Sequence, residues 1–205
     1  MFLYAENYKK LNEILDAVIA AENPYEYICI DTMTALEQYC LPEAARLYSQ
    51  TPMGVNWIVK DADGKLDRKK SQCVKYNNDI TFLPNGSGYQ YVRSAFAKIT
   101  TKLKKCAKNV IYIAHVKEKN LTKDGVEFTS NDLNLLGKNK QALSADAQAI
   151  GYLSRIGDKN YISFQAGNDI LAGCKVKRLA DKEILISEYD EKGELITHWD
   201  QIYIK

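Results

Sequence analysis

Two short apolar runs, each closed by a polar side chain, constrain this chain more than any other feature. They are Ile28-Cys29-Ile30-Asp31 and Val110-Ile111-Tyr112-Ile113-Ala114-His115. Runs of this kind form buried strands in open α/β sheets, whose ligand chemistry sits beyond the strands' carboxyl ends. Asp31 and His115 are therefore the leading candidate site residues.

The segments around these runs have helical periodicity. Leu11, Ile14, Leu15, Val18 and Ile19 recur at helical spacing, and Asn23-Pro24 is read as the stop before the Asp31 strand. Leu36, Tyr39 and Cys40 start a second helix, which Pro42 is expected to kink or restart before Leu47 and Tyr48. From Thr51 to Gly88 the pattern dissolves into turn signals such as Asp61-Ala62-Asp63-Gly64 and Pro84-Asn85-Gly86-Ser87-Gly88. That stretch is read as an insertion or mobile loop within one domain spanning residues 1–205.

The clearest helix is predicted over Tyr89–Lys108, with Val92, Phe96, Ile99, Leu103 and Ala107 on one stripe. Its opposite face carries Arg93, Lys98, Lys102, Lys104, Lys105 and Lys108, which reads first as solvated surface. After His115 comes a polar loop, Lys117–Lys140, with a turn at Lys123-Asp124-Gly125. A short helix is expected around Gln141–Gln148. Residues 149–205 form a β-rich part with two hairpins, one turning at Gly157-Asp158-Lys159-Asn160 and one at Glu191-Lys192-Gly193.

Charge excludes little, because 28 basic and 26 acidic residues leave a net +2, so any polyanion contact must be local. The chain of 205 residues with 46% hydrophobic content can bury a full core. No run reaches membrane-spanning length, so the chain is read as soluble, intracellular and without a membrane partner. Five dispersed cysteines, with no Cys-x-x-Cys pair, fit free thiols in a reducing compartment better than a zinc site.

Chemistry leaves two readings for each candidate. An aspartate at a strand end can hold magnesium or its waters beside phosphates, or it can cap the helix that follows, a role that Thr32 and Thr34 also suit. His115 can sense a terminal phosphate or sit half-buried against backbone. A phosphate loop needs Gly-x-x-x-x-Gly-Lys-Ser/Thr. The two Gly-Lys pairs, Gly64-Lys65 and Gly137-Lys138, are followed by Leu66 and Asn139 and preceded at the first glycine's position by Val59 and Asp132. Neither is that loop, so these residues alone should bind ATP weakly and hydrolyse it little.

Four segments in order carry a resemblance: Tyr27–Thr34, Leu83–Tyr89 with Arg93 after it, Val110–Lys117, and Ala145–Tyr152. Together they resemble the RecA-like nucleotide-binding proteins encoded by bacteriophages, over most of the chain. The resemblance implies a RecA-like, P-loop NTPase-type α/β core with a mixed, mainly parallel sheet and C-terminal antiparallel hairpins. The family's first strand and phosphate loop are missing here, and Phe2-Leu3-Tyr4 corresponds to a stub of its second strand. It implies ATP and magnesium as cofactors, with Asp31 as the magnesium-holding acid, Thr32 and His115 beside the nucleotide, and His115 at the sensor position. Glu6 falls near the family's water-activating acid. Work in DNA recombination, replication or repair in the cytoplasm of a bacterial host is implied with it. Single-stranded DNA would meet Lys117, Lys119, Lys123, Lys138 and Lys140, and a homo-oligomer or partner protein would meet Lys175, Lys177 and Arg178. The competing reading is an inert module of the same fold that binds DNA or protein without hydrolysing ATP.

Overall fold

The computed structural model describes residues 1–22, 25–123, 126–167 and 170–203. The expected helix stop at Asn23-Pro24 and the turn at Asp124-Gly125 lie outside the described residues. Two compact units result, Met1–His115 with Leu135–Asn139, and Val116–Asn134 with Lys140–Lys205.

The first unit begins with α1 (Tyr8–Ala20), entered at Asn7, whose side-chain oxygen accepts the Lys10 backbone N–H at 2.9 Å. Strand β1 (Tyr25–Asp31) pairs in parallel with β2 (Ala107–Ile113), with Ile28 opposite Val110 and Asp31 opposite Ile113. Parallel neighbours need a long crossover. Here it holds α2 (Met33–Ser49), α3 (Gln72–Lys75), two 3-10 turns and α4 (Tyr89–Cys106). Helix α4 packs on α1, α2 and both strands, and its stripe of Val92, Phe96, Ile99 and Leu103 is buried as the spacing predicted. Burying one such side chain is worth about 1.5–3 kcal/mol, which makes this stripe the main support of the unit.

Two local expectations change. Pro42 neither ends nor restarts its helix, for α2 continues through it to Ser49. The lost backbone hydrogen bond is outweighed by the stripe of Leu36, Cys40, Ala44 and Tyr48, all buried along the helix. Residues 51–88, expected as an insertion or mobile loop, contribute Trp57, Cys73, Ile80 and Leu83 to one core cluster with Ala44, Tyr48 and Val92. Trp57 meets Tyr48 edge-on at 5.5 Å and stacks on Tyr76 at 6.2 Å. Periodicity was silent there because the buried residues are delivered by turns rather than by a regular element.

The second unit opens with β3 (Val116–Lys123) and β4 (Val126–Leu133), an antiparallel hairpin where a polar loop was expected. Backbone pairing forms it, since neither face of β3 alternates with apolar residues to signal a strand. Helix α5 (Asn139–Asp146) stands close to the expected Gln141–Gln148. Strands β5 (Ala149–Ile150) and β8 (Gly173–Cys174) pair with each other. Both predicted hairpins are present, as β6 (Tyr152–Ile156) with β7 (Lys159–Ser163) and β9 (Glu183–Tyr189) with β10 (Leu195–Thr197). They merge into one antiparallel sheet ordered β10-β9-β7-β6 over Phe164, Leu179, Ile184, Ile186 and Ile202.

A mainly parallel sheet is not what forms. Among the described residues the sheets are small, and β1 with β2 is the only parallel strand pair. The pairs β6/β7 and β9/β10 are joined by short turns, which can only return the chain antiparallel. Among the described residues no helix is long and apolar enough to cross a membrane.

Candidate functional site

Parallel register sets the geometry. Asp31 closes β1 opposite Ile113, and His115 follows two residues later, so both leave the same carboxyl edge of the pair. The Asp31–Thr32 peptide bond is cis. Thr32 is the N-cap of α2, its hydroxyl accepting the Ala35 N–H at 3.1 Å. The capping role that a strand-end aspartate could have filled is thus taken by its neighbour. Asp31 is exposed and its carboxylate makes no hydrogen bond or ion pair among the described residues. The His115 backbone N–H donates to Thr34 Oγ1 at 3.1 Å, which ties the two strand ends together and leaves the exposed imidazole uncommitted.

The N-terminal residues pack on the same unit. Met1 sulfur lies 3.8 Å from the Tyr25 hydroxyl at the start of β1, while Tyr4 shares a hydrogen bond with Tyr39 of α2, near Glu6. Residues 1–6 therefore lie between the start of β1 and α2. They make no strand, so the expected Phe2-Leu3-Tyr4 stub is not a sheet element here.

Glu37 is the functional-looking residue that sequence reading missed. It is 2% exposed, its two carboxylate oxygens accept the Leu136 N–H at 2.9 and 2.8 Å, and Oε1 accepts Asn139 Nδ2 at 2.8 Å. Burial pushes its carboxyl above the ordinary range, and the bonds from Asn139 and Leu136 pull partly back. The available signal was an acid lying on the apolar stripe of α2, between Met33 and Cys40. Its reward is the placement of Leu135–Asn139, far away in sequence, on α2.

That placement closes a cleft of about 220 Å³ lined by Tyr89, Val92 and Arg93 of α4 together with Leu136–Asn139. Helix α4 leads directly into β2, so its first turn lies toward the carboxyl edge of the strands, the edge where α2 also begins. Asp31 and His115 flank this end but do not line the cleft.

The remaining candidates are scattered. Lys117 and Lys119 are exposed on β3, the Lys123 side chain lies outside the described residues, and Lys138 is exposed in the cleft. Lys140 is ion-paired with Asp132. Lys175 Nζ donates to the Ala145 carbonyl at 3.2 Å and Arg178 to the carbonyls of Gln201 and Ile202, so both hold backbone of their own unit, whereas Lys177 is exposed.

Among the described residues no three His, Cys, Asp or Glu side chains converge as a metal cage. Magnesium does not require one, since it keeps several waters and takes one or two carboxylates plus phosphate oxygens. An exposed, uncommitted Asp31 at a strand end fits that limited demand.

The sequence pattern of the AAA domain family matches residues 54–175, more than half of the chain, which therefore belongs to that family. This makes it an AAA-type P-loop NTPase relative, a class of nucleotide-binding, ATPase-like domains. The match takes in His115 and the cleft but starts after Asp31. No curated protein and no solved structure matches the chain.

Proposed function

We propose that the chain binds a nucleoside triphosphate with magnesium at the carboxyl edge of β1 and β2, as part of a phage-type RecA-like ATPase in DNA recombination, replication or repair. The observation that carries this is the parallel register that leaves Asp31 and His115 at one carboxyl edge with their side chains uncommitted. Asp31 faces the metal and its waters, His115 faces the terminal phosphate, Thr32 supports the turn between them, and Glu6 approaches as the candidate water-activating acid. Efficient hydrolysis needs backbone amides and a lysine around the β and γ phosphates. No such loop is found in these 205 residues, and the outer edge of β2, unpaired among the described residues, offers a place for a strand that carries one. An oligomer or partner would meet Lys175, Lys177 and Arg178, and single-stranded DNA the lysines of β3 with Lys138 and Lys140.

The missing loop equally favours a module that keeps the fold and works through DNA or protein contacts alone. Calorimetry with magnesium and ATP separates the two. Micromolar binding that Asp31→Ala abolishes supports the nucleotide reading, while absence of heat in both proteins supports the inert module.

A further inference from the structure

The cleft beside the strand tips is built for something other than a whole nucleoside triphosphate. Its volume of about 220 Å³ is below the ~300–1,000 Å³ of clefts that enclose complete small-molecule ligands. Among the described residues its lining contains no acid, and two exposed cations, Arg93 and Lys138, reach it from opposite walls. Helix α4 starts on one wall with no side-chain cap, so its first N–H groups add partial positive charge. The Tyr89 ring, 40% exposed, rims the opening. Gly137, at φ +52°, faces that ring, and any Cβ there would come to 3.7 Å from it. Asn139, 2% exposed, closes the floor of the cleft with its Oδ1 buried and its Nδ2 committed to Glu37. The wall carrying Lys138 is not a free loop, because the buried Glu37 carboxylate pins Leu136 and Asn139 on either side of it.

We infer that this cleft binds one nucleotide unit, a phosphate held between Arg93 and Lys138 with its base stacked on Tyr89. The ligand chemistry is a phosphate next to a planar ring, whether a free mononucleotide or one link of a single strand. Two cations with the α4 N-terminus supply the anion site, and an exposed ring accepts any base face without reading its edge. The site does not depend on ATP at Asp31, and it would stand if that reading fell.

The test titrates inorganic phosphate, thymidine monophosphate and a fluorescein-labelled oligothymidylate into the full chain by calorimetry and anisotropy. Variants are Arg93→Gln/Lys138→Gln, Tyr89→Ala and the surface control Lys9→Gln, with circular dichroism confirming the fold of each. The charge variant should weaken all three ligands at least tenfold and flatten the salt dependence of the oligonucleotide. Tyr89→Ala should weaken the two base-bearing ligands on the order of tenfold and leave inorganic phosphate unchanged. Lys9→Gln, which removes an exposed cation of α1 outside the cleft, should change none of them. Tighter binding of the oligonucleotide than of the monophosphate identifies a strand as the ligand, and equal binding identifies a free nucleotide. The inference is overturned if no ligand binds, if the charge variant binds like the native chain, or if Tyr89→Ala weakens phosphate as much as the nucleotide.

Discussion

Replacing Glu37 by alanine tests whether a single buried carboxylate holds Leu135–Asn139 in place. In the native chain it satisfies two donors, the Leu136 N–H and the Asn139 amide, of which Asn139 is 2% exposed. Orphaning a buried donor costs about 1–3 kcal/mol, so two donors cost roughly 2–6 kcal/mol. Removing a carboxylate that is itself penalised by burial returns part of this, which leaves an expected loss of about 3 kcal/mol. Total stability for domains of this kind is about 5–15 kcal/mol, so the effect is large. Urea denaturation should show a lower midpoint at unchanged slope, and hydrogen exchange should show lost protection at the Leu136 amide. Glu37→Gln, which keeps one acceptor oxygen, should lose about half as much. The pH dependence has a definite sign. Because the folded carboxyl titrates above the unfolded value of 4.5, its favourable contribution is complete below about pH 4.5 and fades as pH rises through the folded value. Glu37→Gln should remove that component from the stability profile. A change below ~0.5 kcal/mol in Glu37→Ala, the size of an ordinary surface substitution, would refute the pin.

Two further outcomes follow from packing and exposure. Gly88→Ala places a Cβ against the Ile80 carbonyl at the entry to α4, and a backbone atom there cannot swing aside, so thermal denaturation should show a loss of about 2 kcal/mol or more. Burial pushes the Cys40 thiol up to about 12 and raises Cys106, and both are fully buried, so a disulfide-exchange reagent at neutral pH should label exposed Cys29 in the folded chain and reach Cys40, Cys73 and Cys106 only after unfolding. Fast labelling of Cys40 in the folded chain would contradict the packing of α2.

Local pattern alone was enough for α1, α4, α5, strands β1 and β2, and the late hairpins. Val92, Phe96, Ile99 and Leu103 repeat at helical spacing, and Gly157-Asp158 and Glu191-Lys192-Gly193 mark chain reversals, so their placement needs no knowledge of distant contacts. That Asp31 closes one strand and His115 follows another was legible for the same reason, since each is the first strongly polar residue after an apolar run. Tertiary structure decided what depends on residues far apart. Only the parallel register brings those two ends to one edge, only packing of Trp57, Cys73, Ile80 and Leu83 on Ala44, Tyr48 and Val92 makes residues 51–88 part of a core, and only folding carries Leu136–Asn139 to Glu37. Periodicity records which face of one segment avoids water, whereas the partner of a buried carboxylate is chosen by hydrogen bonding across about a hundred residues of chain, which no local pattern encodes.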